Sequence, residues 1–448
     1  MPYGSAAVLL IGCLGGLAGP PPACADEWSD VDSDIDQLFS DPALSADDLA
    51  TRNRLGGDLG GIRSGLAARG ATLDLSSTQF YQGVTAGGIQ RNFEFSGRAD
   101  YYLNVDGEQA GLWQGLFVNL HGETRYGDTI NPITGELMPA NIAGLFPLPY
   151  GSVTALTAVK FTQVLSNDLL IYAGKINLID EIKQQFSGGR GVDAFMNTAI
   201  VFPVAADRTV PYSTLGAGFV WKQDHDLAFS MMLLDTHNTP TTSGFETFFT
   251  NGATILARVD RTVHWFDRLG HQTVWGTYSS GTYNDLSPTP YLDPITGNVT
   301  VPSNRQTGSW ALFYAADQAL WVDPNNSARA WGLFTNIGLA DDGPSPIRFG
   351  ANVGLGGSSP LTSRPLDTFG IGYAYTRYSA ALNQLPASVL PIGNDQVVEL
   401  FYNYAVTPWF RVTPDLQVLI PARERTLGTP PQPIDTALVL GIRAKLDF

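Results

Sequence analysis

The stretch 436–448, TALVLGIRAKLDF, reads differently on its two faces. With a period of two, Leu438, Leu440, Ile442, Ala444, Leu446 and Phe448 share one face, and Gly441, Arg443, Lys445 and Asp447 share the other. Such alternation marks a β-strand with one apolar environment and one polar one. The apolar face is long enough for a lipid-facing strand, which needs about 9 to 11 residues to cross the hydrocarbon layer, and it ends in an aromatic carboxylate suited to the interface. An edge strand of a soluble sandwich alternates in the same way, so recurrence along the chain decides between the two.

The pattern recurs. Strand-like windows fall at 72–82, 93–106, 115–126, 152–164, 168–176, 214–223, 226–235, 253–265, 271–281, 309–322, 330–339, 347–355, 367–378, 396–407, 411–420 and 436–448. Sixteen is an even number, as a bacterial transmembrane barrel requires. Connections alternate in length: tight joins at 166–167, 224–225, 268–270, 323–327 and 407–409, with long segments at 127–151, 177–213, 236–252, 282–308 and 379–395. Short turns on one rim and long loops on the other point to an all-β, antiparallel transmembrane barrel over 71–448. The alternation blurs at 340–346 and 356–366. One window, 226–235 (DLAFSMMLLD), is apolar on both faces, which predicts a loop over its inner side or a subunit over its outer side.

Composition agrees. The 448 residues include 48 Gly and 29 Pro, with only 15% charged, as many strands joined by turns would give. No apolar run after residue 17 approaches the 18 or so residues of a membrane helix. Residues 1–25 read as a secretory signal, an apolar stretch followed by PPACA, although the first ten residues lack Lys and Arg. A lipidation box around Cys13 is the weaker reading, because the apolar run before it is very short. Both cysteines, Cys13 and Cys24, lie in that stretch, so the remaining chain has no thiol for disulfides, metal sites or nucleophiles. Residues 26–70 form an N-terminal segment expected in the periplasm, first acidic and then Gly-rich, with a short helix near 45–52 and another at 62–69 capped by Gly70. Nine acidic residues lie between 26 and 50, and removing them from the net charge of −16 leaves about −7. Such a chain is a poor partner for nucleic acid, since little neutralises phosphate.

Strand parity assigns the lumen. It places Glu94, Arg98 and Asp100 inward, then Asn119, His121, Glu123 and Arg125, Lys160, Arg258 and Asp260, Arg348, Arg411 and Asp415, and Arg443 and Lys445. These are of mixed sign. Paired Arg and carboxylate groups hydrogen-bond neutral polyhydroxy compounds, whereas a ring of one sign selects ions. Each residue taken singly could equally do no more than solvate a water-filled pore.

The string RLGGDLGGIRSGLAARGATLDLSSTQFYQG at 54–83 resembles the opening of the carbohydrate-selective porin (OprB-type) family, which has a G-D-W-G-G-x-R-x-x-L-x-x-x-G-like segment before its first strand. Leu59 stands where Trp is common. KFTQVLSNDLLIYAGKINLID at 160–180, GRGVDAFMN at 189–197 and YNYAVTPWFRVTPDLQVLI at 402–420 resemble the same family, so the likeness covers 54–448. It implies a sixteen-stranded barrel in the outer membrane of a Gram-negative bacterium, often a homotrimer, surrounded by outer-membrane lipids, passing mono- or oligosaccharides such as glucose by diffusion. Phe448 would then serve as a recognition mark for the outer-membrane assembly machinery. No cofactor is expected.

Other functions are less well supported. No G-x-S-x-G or H-E-x-x-H occurs, and the five histidines show no metal-ligand spacing, which argues against a barrel hydrolase. A general or ion-selective porin, or a structural or adhesive barrel, remains as the alternative. For the constriction, Arg98 and Arg125 on adjacent strands are one expectation. The second is a loop folded inward from 177–213, whose GGRG would bring Arg190 into the pore.

Overall fold

The computed structural model describes residues 48–448 apart from 183, 225, 287–290, 293–298, 301–303, 384–391 and 429. The segment read as a signal, both cysteines, the acidic stretch up to 47, His225 and residues 293–298 lie outside the described residues. At 48–51, where a helix was expected, there is one hydrogen-bonded turn.

Sixteen antiparallel strands close into a barrel. In chain order they are β1 (Ala71–Ala86), β2 (Phe93–Asp106), β3 (Leu116–Gly127), β4 (Val153–Val164), β5 (Leu169–Asn177), β6 (Ser213–Lys222), β7 (Leu227–Asp235), β8 (Ala253–Trp265), β9 (Arg268–Asn284), β10 (Arg305–Asp323), β11 (Asn326–Ala340), β12 (Ile347–Ser358), β13 (Thr368–Tyr378), β14 (Asn394–Thr407), β15 (Phe410–Ile420) and β16 (Ala437–Asp447). Each pairs with its chain neighbours, and β16 returns to β1. Closure is what lets such a sheet stand in lipid, because every backbone N–H and C=O then finds a partner and no edge remains.

The rims separate as the connections suggested. Two-residue turns join β8 to β9, β10 to β11 and β14 to β15 on the turn rim, and the segments 128–152, 178–212 and 236–252 all leave the loop rim. Near 340–366 the lengths invert: the loop rim has only 341–346, while the turn rim has 359–367. One join is displaced from expectation. The β8–β9 turn is Phe266–Asp267, not 268–270, with φ of 58° and 56°. Both central residues at positive φ give the twist of a two-residue hairpin, and here neither is glycine.

At the seam, β16 pairs with residues 76–86 of β1: Ser76 faces Asp447 and Val84 faces Val439. The stagger of a closed barrel causes this offset, and it leaves the first residues of β1 without a partner on the seam side. The Gly-rich segment fills that place. Leu55 N–H donates to Asp447 O at 2.8 Å, Phe448 N–H to Leu75 O at 2.8 Å, and Arg54 pairs with Asp74 at 2.5 Å. Helix α1 (Ile62–Ala67) follows, and its buried Arg63 donates to the main-chain oxygen of Phe448. Asp58 accepts from Ser64 N–H and Oγ–H, both at 2.8 Å, which holds its carboxyl below the usual range.

Outside, Phe93, Phe95, Phe161, Ile171, Leu312 and Ile442 are exposed, as a lipid-facing wall demands. Inside, much of the lumen is filled by apolar packing. Phe195, Phe334 and Phe401 meet edge to face at 5.3 and 4.9 Å, with Ile200, Val204, Ala205 and Leu419 in the same cluster. A second cluster joins Leu170, Tyr172, Val220, Met232, Leu234 and Leu256 to Leu178 of segment 178–212. This explains the doubly apolar window at 226–235: neighbouring strands and the base of that loop cover its inner side.

Candidate functional site

The site begins with cross-strand register. β2 and β3 place Arg98 opposite Arg125, Asp100 opposite Glu123 and Tyr102 opposite His121, all facing inward. Arg98 reaches both carboxylates: Nε and Nη2 donate to Asp100 at 2.9 and 2.6 Å, and Nη2 also donates to Glu123. The His121 ring stacks on Tyr102 at 4.0 Å. Its nitrogens face Asp180 at 2.6 Å and Asp100 at 3.1 Å.

Segment 178–212 completes the cluster from inside the barrel. Arg190 Nη1 lies 3.2 Å from Asp180 and 3.5 Å from Asp100, with its guanidinium 5.2 Å above the Tyr102 ring. Arg190 takes a left-handed backbone conformation, φ 53°, between Gly189 and Gly191, themselves at positive φ; the glycines make the tight approach sterically cheap. Tyr212 donates its hydroxyl to Glu123, and Lys160 pairs with Glu181 at 2.5 Å. A cleft lined by Tyr102, Asn119, His121, Lys160, Asn177, Asp180 and Glu181 runs beside the cluster. Burial alone would push the Asp180 carboxyl up, but His121 and Arg190 outweigh it and hold it below the usual range.

Charges nearly cancel. Arg98 and Arg190 face Asp100, Glu123 and Asp180, with His121 between them. Asp100, His121 and Glu123 also bring three ligand-type atoms within 4.8 Å. A divalent cation fits that trio poorly, because the two guanidiniums already occupy its acceptors and would repel the ion.

The same segment then runs round the inner wall as a belt. Asp193 meets Arg411 at 3.1 Å and also Lys445. Arg443 donates to Gly191 O at 3.0 Å and Ala194 O at 2.7 Å. Glu399 accepts the backbone N–H groups of Met196 at 2.5 Å and Asn197 at 2.9 Å. Asn352 donates to Ala199 O and Ile200 O at the short helix α2 (Thr198–Val201), and Thr209 shares a 2.7 Å hydrogen bond with Thr277 of β9. Inward glycines let the belt lie close: a Cβ added at Gly350 would come within 2.5 Å of Val204. On the belt, Ala205, Ala206 and Thr209 are buried while Asp207 between them is exposed.

Most of these residues share the inward register of their strands, which did not fix their roles; Arg348 instead lies at the bulge between Ile347 and Phe349, where Ile347 takes the inward place opposite Tyr378. Arg98, Asp100, His121 and Glu123 gather in this cluster with Lys160 along the adjoining cleft, and Asn119 beside them is bonded to Asn104 at 2.9 Å. Arg411, Arg443 and Lys445 hold the belt, and Asp415 accepts from Gln417 at 3.0 Å beneath it. Arg125 does not join Arg98 in the cluster: its guanidinium is spent on Gly144 O at 2.8 Å and Gly151 O at 2.6 Å, pinning segment 128–152. Arg258 and Asp260 pair at 2.5 Å on the partly open wall of β8. Arg348 pairs with Asp342 at 2.6 Å at the loop rim, and Glu94 accepts from Asn92 at 2.7 Å near that rim. Sequence reasoning missed Tyr102, Asp180, Glu181, Asp193, Asp207 and Tyr212. Tyr102 has the inward parity of Arg98 and Asp100 and could have been found; the others are loop residues without a period.

Residues 90–448 match the family described as carbohydrate-selective porin, OprB family. This chain belongs to that family. Porin B of Pseudomonas aeruginosa is 22% identical over 209 residues, a match that covers 41% of this chain and 44% of that protein. The matched part is thus less than half the length of this curated relative. The high-pH structure of Pseudomonas putida OprB superposes with a TM-score of 0.75 at 17% identity, covering 89% of this chain and 99% of that one. Its low-pH structure gives 0.56 at 14% identity over the same shares. As a member of the OprB family with a closed barrel, the chain resides in the outer membrane of a Gram-negative cell. The family and the fold are those of channels rather than enzymes.

Proposed function

We propose that this OprB-family barrel passes mono- or oligosaccharides by passive diffusion, selecting them at the point where Arg190 of the belt meets β2 and β3. The observation that carries the reading is the near-neutral cluster of Arg98, Asp100, His121, Glu123, Asp180 and Arg190. A wall of closely alternating donors and acceptors can exchange hydrogen bonds with vicinal hydroxyls, while its balanced charge gives ions of either sign little advantage. Tyr102, stacked with His121 and covered by Arg190, is buried and fixes the orientation of both side chains beside the cleft. The reading gives the chain no catalytic role. Liposome swelling with a panel of sugars, combined with conductance during sugar titration, tests it. Swelling by glucose or maltose with concentration-dependent block of current is expected. Ion current with no block at high sugar would convert the reading to a general or ion-selective porin.

A further inference from the structure

We infer that segment 236–252 is a strap folded over the outside of the barrel, with Phe245 and Phe248 seated among lipid acyl chains at the loop rim. Two wall residues fix its position, and both point outward. Lys175 of β5 lies opposite Val159 and Leu215, two residues along from the exposed Ala173 on its own strand. Asp235 of β7 is two residues beyond Leu233, which pairs with Ile255; these two are 43% and 45% exposed on the outer wall.

Both residues grip the strap. Lys175 Nζ donates to Leu156 O at 2.8 Å and to Pro240 O and Thr242 O at 3.0 and 2.7 Å. Asp235 accepts the N–H groups of His237 and Phe249, both at 3.0 Å. Gly244 lies against outward Leu215, where an added Cβ would sit 3.3 Å from its side chain, and Leu215 is buried as a result. The strap is thus held on the outer wall, whereas 178–212 enters the lumen.

Its tip is apolar. Phe245 is 72% and Phe248 45% exposed, and the Phe248 and Phe249 rings pack at 4.2 Å. Phe249 holds a left-handed backbone conformation, φ 55°, which favours glycine; the Asp235 carboxylate secures it through its N–H. Glu246 is the only Asp, Glu, Lys or Arg in the segment, so it offers anionic headgroups no cation. The occupant follows from continuity: the two phenyl rings extend the lipid-facing band of Leu233 and Ile255 toward the rim, where aromatic side chains anchor barrels in the bilayer.

The test uses the full barrel with Cys13 and Cys24 replaced by Ser, and Phe245→Cys or Phe248→Cys carrying a polarity-sensitive fluorophore in phosphatidylcholine vesicles. Tyr150→Cys, at an 80% exposed position in segment 128–152, is the aqueous reference, and unheated gel mobility confirms that each variant is folded. Brominated acyl chains should quench the labels at 245 and 248, and iodide in the water should quench them far less than the label at 150. Iodide quenching equal to that at 150 would overturn the proposal. So would oxidative cross-linking between copies at 245 or 248, which would put a second barrel where the lipid was inferred.

Discussion

Arg98 bridges two carboxylates that would otherwise lie buried and unscreened on adjacent strands. Removing one partner of a buried ion pair typically costs about 3–5 kcal/mol, because the remaining charge has no compensation. Arg98→Ala should therefore lower the temperature at which the folded gel band is lost and abolish sugar block. Arg98→Lys should recover little, since a point charge cannot replace a fork that reaches Asp100 and Glu123 together. Arg190 differs in kind: it is supplied by the belt and partly exposed. Arg190→Ala should leave the gel transition near that of the parent while raising single-channel conductance and weakening sugar block; unchanged conductance would move the constriction away from this residue. The pH dependence turns on Asp193. Burial would raise its pKa, but Lys445 and Arg411 outweigh that and hold it below the ordinary aspartate value of about 3.9. A depressed folded value adds stability at every pH above the unfolded value and loses it only as pH falls through the folded one. Any release of the belt by protonation of Asp193 should accordingly be confined to acid below the ordinary aspartate range, read as open-channel noise against pH in planar bilayers. Asp193→Asn should loosen the belt already at neutral pH, seen as added open-channel noise in planar bilayers.

At the level of elements, the belt and the seam clasp depend on wall residues far away in sequence. Glu399 is separated from Met196 by 203 positions, and Arg63 from Phe448 by 385. Glu399→Ala would leave two buried backbone N–H groups without an acceptor, at about 1–3 kcal/mol each. Gly350→Val would press a side chain into Val204. Both variants should give noisier channels with the barrel still closed, measured as flicker against an unchanged folded gel band. Arg63→Ala should do the opposite: conductance near that of the parent, but an earlier gel transition and faster amide exchange at the turn-rim end of β16. The strands themselves were legible, because a wall between lipid and water forces alternation residue by residue. The inner wall also carried a readable signal in Gly350, Gly356, Gly370 and Gly372, glycines at even positions where the belt lies close. The β8–β9 turn was misplaced because Phe266 and Asp267 adopt the positive φ that turn chemistry usually assigns to Gly or Asn.

At the level of the whole molecule, closure is the property most directly tested. A barrel with every strand paired should migrate faster on a gel before heating than after, and failure to shift would argue against the β1–β16 seam. The alternation in 436–448 determined by itself only a two-faced strand; its recurrence in sixteen windows determined that the chain spans a membrane as strands, because the demands of a bilayer act locally on each residue. The Gly-rich string at 54–83 likewise pointed to the family. What Arg443 and Lys445 do was decided only by tertiary structure. Both face inward as their period requires, yet the belt lies between them and the open channel, so they hold a loop rather than line the passage. Period two tells which side of a wall a residue occupies. What stands against that side comes from contacts across two hundred residues or more, and no local pattern encodes them.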